Sequence, residues 1–189
     1  MSGTFASVKQ VIDSWRSKAA LGPLVIAIFT GACVPENSLP DTSEGTFSVA
    51  GTLGTNSCGS GVGASNPWDF TVELSEDDST LYLAQSDGSD EISGTLSSTS
   101  ATLTSTVTSN VDGSDAGAGT CDLTQVTTYA LKLSSASSPS SFTGSATYTY
   151  SVATGLSTSA NCTDQLASSG GEYSTLPCTI TYSLTGTRQ

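Results

Sequence analysis

From Ser141 to Val152 the chain reads SFTGSATYTYSV. Phe142, Gly144, Ala146, Tyr148, Tyr150 and Val152 fall on one parity, and Thr143, Ser145, Thr147, Thr149 and Ser151 on the other. Side chains of a β-strand point alternately to opposite faces, so this stretch offers one apolar or small face and one hydroxylic face. Strict period two with aromatic and β-branched enrichment predicts a half-buried antiparallel strand.

The same pattern recurs in both directions from this segment. Ile180, Tyr182 and Leu184 alternate with Thr179, Thr181, Ser183 and Thr185; Trp68, Phe70, Val72 and Leu74 alternate with Asp69, Thr71 and Glu73. Thr102, Thr104, Thr106 and Thr108 alternate with Ala101, Leu103, Ser105 and Val107. A run of threonines at this spacing is what ice-binding faces use, but strand propensity with an uncharged outer side accounts for it, and no repeat period accompanies it. Eight strands are expected, near 46–53, 68–74, 79–84, 91–97, 101–108, 121–133, 141–152 and 178–186. No segment behind the leader sustains a helical period. The domain reads as all-β.

Connection lengths predict the topology. Short links (Ser75–Asp78, Ser98–Ser100, Ser134–Ser140) alternate with long ones at 54–67, 85–90, 109–120 and 153–177. In an up-and-down meander alternate connections lie at opposite ends of the strands, so the long loops share one end. Cys58, Cys121, Cys162 and Cys178 then fall at that end, and an even set in an exported chain reads as two disulfides. Neighbouring strand ends favour Cys121 with Cys162, leaving Cys58 with Cys178 if the sheet closes; Cys162–Cys178 with Cys58–Cys121 is the rival pairing. Closure into a small barrel filled by its own side chains removes the sheet edges, with a β-sandwich as the alternative. No GxW-type opening motif marks the first strand, where Gly45-Thr46-Phe47 stands, so likeness to lipocalin carriers is architectural.

Composition excludes several chemistries. The 189 residues include no histidine, which removes Ser-His-Asp and Cys-His catalysis and His-ligated metals. Five Lys and Arg against seventeen Asp and Glu leave no basic surface for nucleic acid. Low aliphatic content with net charge −12 approaches the composition of disordered chains, but the alternation answers that reading.

Lys9, Arg16 and Lys18 precede an apolar run, Ala19 to Ala32. That run spans roughly 20 Å as a helix, short of a ~30 Å bilayer core, and fits a secretory leader. Its end, Phe29-Thr30-Gly31-Ala32-Cys33, resembles the lipobox of bacterial lipoproteins. The resemblance implies cleavage before Cys33 and diacylglycerol on its sulfur; an ordinary secretory signal is the alternative. The expected organisation is a signal peptide over 1–32, a lipidated Cys33 and flexible tether over 33–45, and an all-β domain over 46–189.

Acidic runs are the most visible polar feature. Asp87 with Asp90, and Asp112 with Asp115, sit in glycine-containing loops at the cysteine-bearing end and are the Ca²⁺ candidates. None fits an EF-hand, and Asp-Gly turns arise for backbone reasons alone. Glu73 and Glu91 fall at outward or terminal strand positions, unsuited to a desolvated acid pair. The aromatics Trp68, Phe70, Tyr129, Phe142, Tyr148, Tyr150 and Tyr182 mostly share the apolar parity of their strands and read as core, whereas Tyr82 lies opposite in parity to Leu81 and Leu83. The expected function is a non-catalytic, lipid-anchored envelope protein of the bacterial outer membrane, acting as a structural or interaction module without a cofactor. A carrier or sensor of a small ligand at the long-loop end is the alternative.

Overall fold

A computed structural model describes residues 42–111, 121–153 and 162–189. Eight strands follow in order: β1 (Thr42–Asn56), β2 (Trp68–Asp77), β3 (Thr80–Gln85), β4 (Ile92–Ser97), β5 (Ser100–Val111), β6 (Cys121–Leu133), β7 (Ser141–Val152) and β8 (Cys178–Arg188). Each pairs antiparallel with its neighbour in sequence, and β8 pairs with β1, so the meander closes into a barrel and not a sandwich. β1 begins at Thr42, so Thr42–Gly45 belong to the sheet and shorten the expected tether.

The alternation is realised residue by residue. Phe47 and Val49 on β1, Val72 and Leu74 on β2, Leu81 and Leu83 on β3, and Leu103 on β5 point inward and are buried, as are Tyr129, Phe142, Ala146, Ile180 and Leu184. Each fully buried Leu or Phe contributes roughly 1.5–3 kcal/mol. The outward positions are mainly Thr and Ser, the inverse of a membrane barrel, whose apolar band faces lipid.

One pole of the barrel carries the short links and both ends of the described domain. Two-residue turns at Asp78-Ser79 and Ser98-Thr99 close β2–β3 and β4–β5, and the β6–β7 turn buries Pro139 completely. Glu44 is an extra residue on β1, where the register against β2 shifts between Ser43 and Gly45. The bulge turns its carboxylate under the barrel, where it is 5 % exposed and accepts the Ser138 amide proton at 2.8 Å. Arg188 donates to the Glu44 carbonyl and lies over the Phe47 ring at 5.9 Å. This pole is sealed.

Candidate functional site

The opposite pole carries the long connections and both disulfides. Cys58 is bonded to Cys178 and Cys121 to Cys162, the pairing favoured by neighbouring strand ends. The segment 162–177 is therefore tied down at both ends. It holds two single 3₁₀ turns, Thr163–Gln165 and Ala167–Ser169. Beyond them, Ser174 donates its amide proton to the Cys58 carbonyl at 2.6 Å, and Tyr173 packs on Tyr150 with ring centroids 5.5 Å apart. With Val62 buried and Ala64 packed on the core from the β1–β2 connection, this strap covers the mouth along β7, β8 and β1.

Beneath the strap the interior changes from aliphatic to aromatic. Trp68 stacks on Phe70 at 4.1 Å and meets Tyr182 at 4.8 Å and Tyr148 at 5.9 Å. A polar chain crosses the same level: Gln85 Nε2 donates to Tyr129 Oη at 3.0 Å, and Tyr129 Oη shares a hydrogen bond of 3.2 Å with Tyr148 Oη. Burial raises the pKa of both phenols, because a phenolate inside the barrel would lose its hydration; the Asp87 carboxylate acts in the same direction on Tyr129. Tyr150, nearer the rim, is pushed up to about 12 by burial. Neutral hydroxyls and amides beside aromatic faces suit hydrogen bonding and stacking, not proton abstraction at neutral pH.

On the other side the wall is low. β3 and β4 are six residues each, against twelve or thirteen in β5, β6 and β7. Pairing of β5 with β4 stops at Leu103 opposite Gly94, while β5 continues along β6 to Val111 opposite Cys121. Pairing of β2 with β3 starts only at Val72 opposite Gln85, leaving Trp68–Phe70 paired on the β1 side alone. The result is a notch bounded by two free strand edges and floored by the β3–β4 connection. Val107, inward by parity, is 54 % exposed and is the exposed large hydrophobic of the described residues.

The Ca²⁺ candidates come out unevenly. Asp87 accepts the Ser89 amide proton at 3.0 Å, a local turn contact, and Asp87 and Asp90 are exposed on the notch floor. Asp112 and Asp115 lie outside the described residues, as does Cys33. Among the described residues no group of three or more Cys, Asp or Glu could hold a metal ion. Glu73 and Glu91 are exposed, and Tyr82 is half-buried on the outer face. A shallow outer groove of about 480 Å³ runs over β1 between β2 and β8; Val49, Ala50 and Phe70 line it together with four Ser and Thr residues and Asp69, a mixed surface with a single ionisable group. Sequence reasoning did not identify the notch, although the unequal strand lengths that create it were readable. No protein-family profile, curated protein or solved structure matches the chain.

Proposed function

We propose that the chain is a non-catalytic, lipid-anchored protein of the bacterial outer membrane, whose barrel serves as an interaction module presented at the loop-bearing pole. The observation that carries this reading is the polarity of the barrel. β1 starts at the sealed pole, beside the short turns and the C-terminus, while the long connections, the disulfides and the notch lie at the other. A tether from a lipidated Cys33 would enter beneath the sealed pole and hold the loop pole away from the bilayer. Two-point stapling of the strap suits a surface that must keep its shape outside the cell's reducing compartment.

Mass spectrometry of the native protein tests the anchor: Cys33 is expected as a diacylglyceryl-modified N-terminus, and an unmodified chain beginning elsewhere would overturn it. Orientation is tested by fluorophores placed at Ser98→Cys and Gly88→Cys in lipid vesicles. Quenching by a lipid-borne spin label is expected at position 98 and not at position 88. The reverse pattern would overturn the presentation of the loop pole.

The half-exposed Trp68–Phe70 stack beside Gln85 favours a second reading, a carrier of a small neutral or cationic ligand at the mouth. Trp68 fluorescence in a full-length Trp15→Phe chain, titrated with a panel of small aromatic cations and sugars, separates the two: a saturable change favours the carrier.

A further inference from the structure

The geometry points to the free edge of β5, Ser105–Val111, as the docking site for an extended, basic segment of a partner protein, which adds a strand to the barrel wall. The assignment rests on the interaction-module reading above and names its surface and the kind of partner. The Gly94–Leu103 pair is of the non-hydrogen-bonded kind, so Thr104 is the last residue of β5 bonded to β4; among the described residues, no backbone pairing reaches the β4-facing side of the seven residues beyond it. Both faces of the strand stand in solvent: Thr106, Val107, Thr108, Ser109 and Asn110 are all exposed, although Val107 and Ser109 carry the inward parity.

A row of unmatched N–H and C=O groups is a template for another strand, and proteins blunt such edges with Lys, Pro, bulges or inward charges. None of these devices is present. The stretch STVTSNV contains no charge and no proline, and the register of β5 against β6 runs without a shift from Ser100 to Val111. Its Thr and Val content favours extended backbone. Strand addition to such an edge draws affinity from main-chain hydrogen bonds and specificity from alternate side chains.

Space and charge describe the occupant. Lower in the barrel β3 and β4 fill the interval between β2 and β5, so above them that interval is two strands wide, about 14 Å at ordinary strand spacing. A strand laid on β5 would turn alternate side chains inward, over Val107 and toward Phe70. Exposed Asp87, Asp90 and Glu91 line the floor, Asp69 flanks the facing β2 edge, and the whole chain carries −12. Alternating apolar and basic residues match that surface. A second copy of the chain would bring the same acids face to face, which disfavours self-pairing.

Amide hydrogen exchange at residue resolution, on the full-length chain, tests the docking. The probe is an end-blocked peptide alternating Val and Lys; the controls replace Lys by Glu, or methylate alternate backbone nitrogens. In the free chain, the amides of Thr106, Thr108 and Asn110 are expected to exchange as exposed backbone, and the Val/Lys peptide to slow those amides by about ten-fold or more. Both controls are expected to lack the effect, and Val107→Lys to abolish it with the thermal midpoint unchanged. No slowing in 105–111, or equal slowing by the methylated peptide, overturns strand addition. Equal slowing by the Glu peptide overturns the basic partner. Protection that appears with protein concentration alone assigns the edge to a second copy, and protection in the dilute chain alone assigns it to the chain itself; either overturns the proposal. The same sample's mass reads Cys33, so a lipidated chain with an unresponsive edge removes the docking site and leaves the anchor standing.

Discussion

Tyr129 is the residue at which the aliphatic and aromatic halves of the interior meet. It is fully buried, and its hydroxyl links Gln85 to Tyr148. Tyr129→Phe leaves an amide and a phenol without their shared partner while keeping the ring, so a loss of about 1–2 kcal/mol is expected in denaturant unfolding. Combining it with Tyr148→Phe should recover part of that loss, because the second substitution removes the stranded partner. The phenols also set an alkaline limit. Their pKa values are raised in the folded chain, whereas an unfolded tyrosine ionises near its ordinary value of 10.0. Above that pH the unfolded state releases protons that the folded state retains, so stability is intact below about pH 10 and falls as pH rises past it. Ultraviolet absorbance of tyrosinate, followed against pH, should show Tyr150 titrating near 12 and Tyr129 and Tyr148 ionising only with unfolding.

At the scale of the element, strands approach closely where glycine takes an inward position. A Cβ at Gly186 would sit 2.2 Å from the Phe142 ring, and one at Gly94 would sit 2.0 Å from the Thr102 carbonyl oxygen. The Phe142 ring occupies the space that the missing side chain leaves on β8, opposite its own pairing partner. Gly186→Ala is therefore expected to cost roughly 1–3 kcal/mol by displacing that ring, and Phe142→Leu in the same chain should relieve part of it, as measured by thermal unfolding. Legibility divides at this scale. Alternation in 68–74 and 141–152 marked the strands because one buried face imposes period two on any sequence that folds this way. The alternation of short and long connections placed the four cysteines at one end, and neighbouring strand ends there favoured their pairing. Glu44 and Arg188 could not be read in this manner. A bulge has no period, and the contacts of Glu44 with Ser138 and Arg188 join residues 94 and 144 positions apart. The notch was half legible: short β3 and β4 stretches were visible beside long β6 and β7, but only the register tells where pairing stops.

For the whole molecule, closure and the two disulfides do different work. Closure joins the first strand to the last, and Cys58–Cys178 ties the same seam at the loop pole across 120 residues of chain; Cys121–Cys162 spans 41. By loop entropy the longer bridge restricts the unfolded chain more, by roughly 5 against roughly 4 kcal/mol. Replacing Cys58 and Cys178 with Ser should thus lower stability by about 1 kcal/mol more than replacing Cys121 and Cys162, read from urea unfolding free energies that include the steeper slope of a less constrained unfolded chain. The seam has a second meaning. Phe47 pairs with Arg188, and the Gln189 amide donates to the Thr46 carbonyl at 2.9 Å, so the last residue of the chain lies against the first strand. The eight strands form a ring with no intrinsic beginning. Which of them counts as β1 is settled only by where the chain enters the ring, and a chain rejoined at that seam and opened in the exposed 134–138 turn would keep all eight strand pairings while moving its point of entry to the foot of β7.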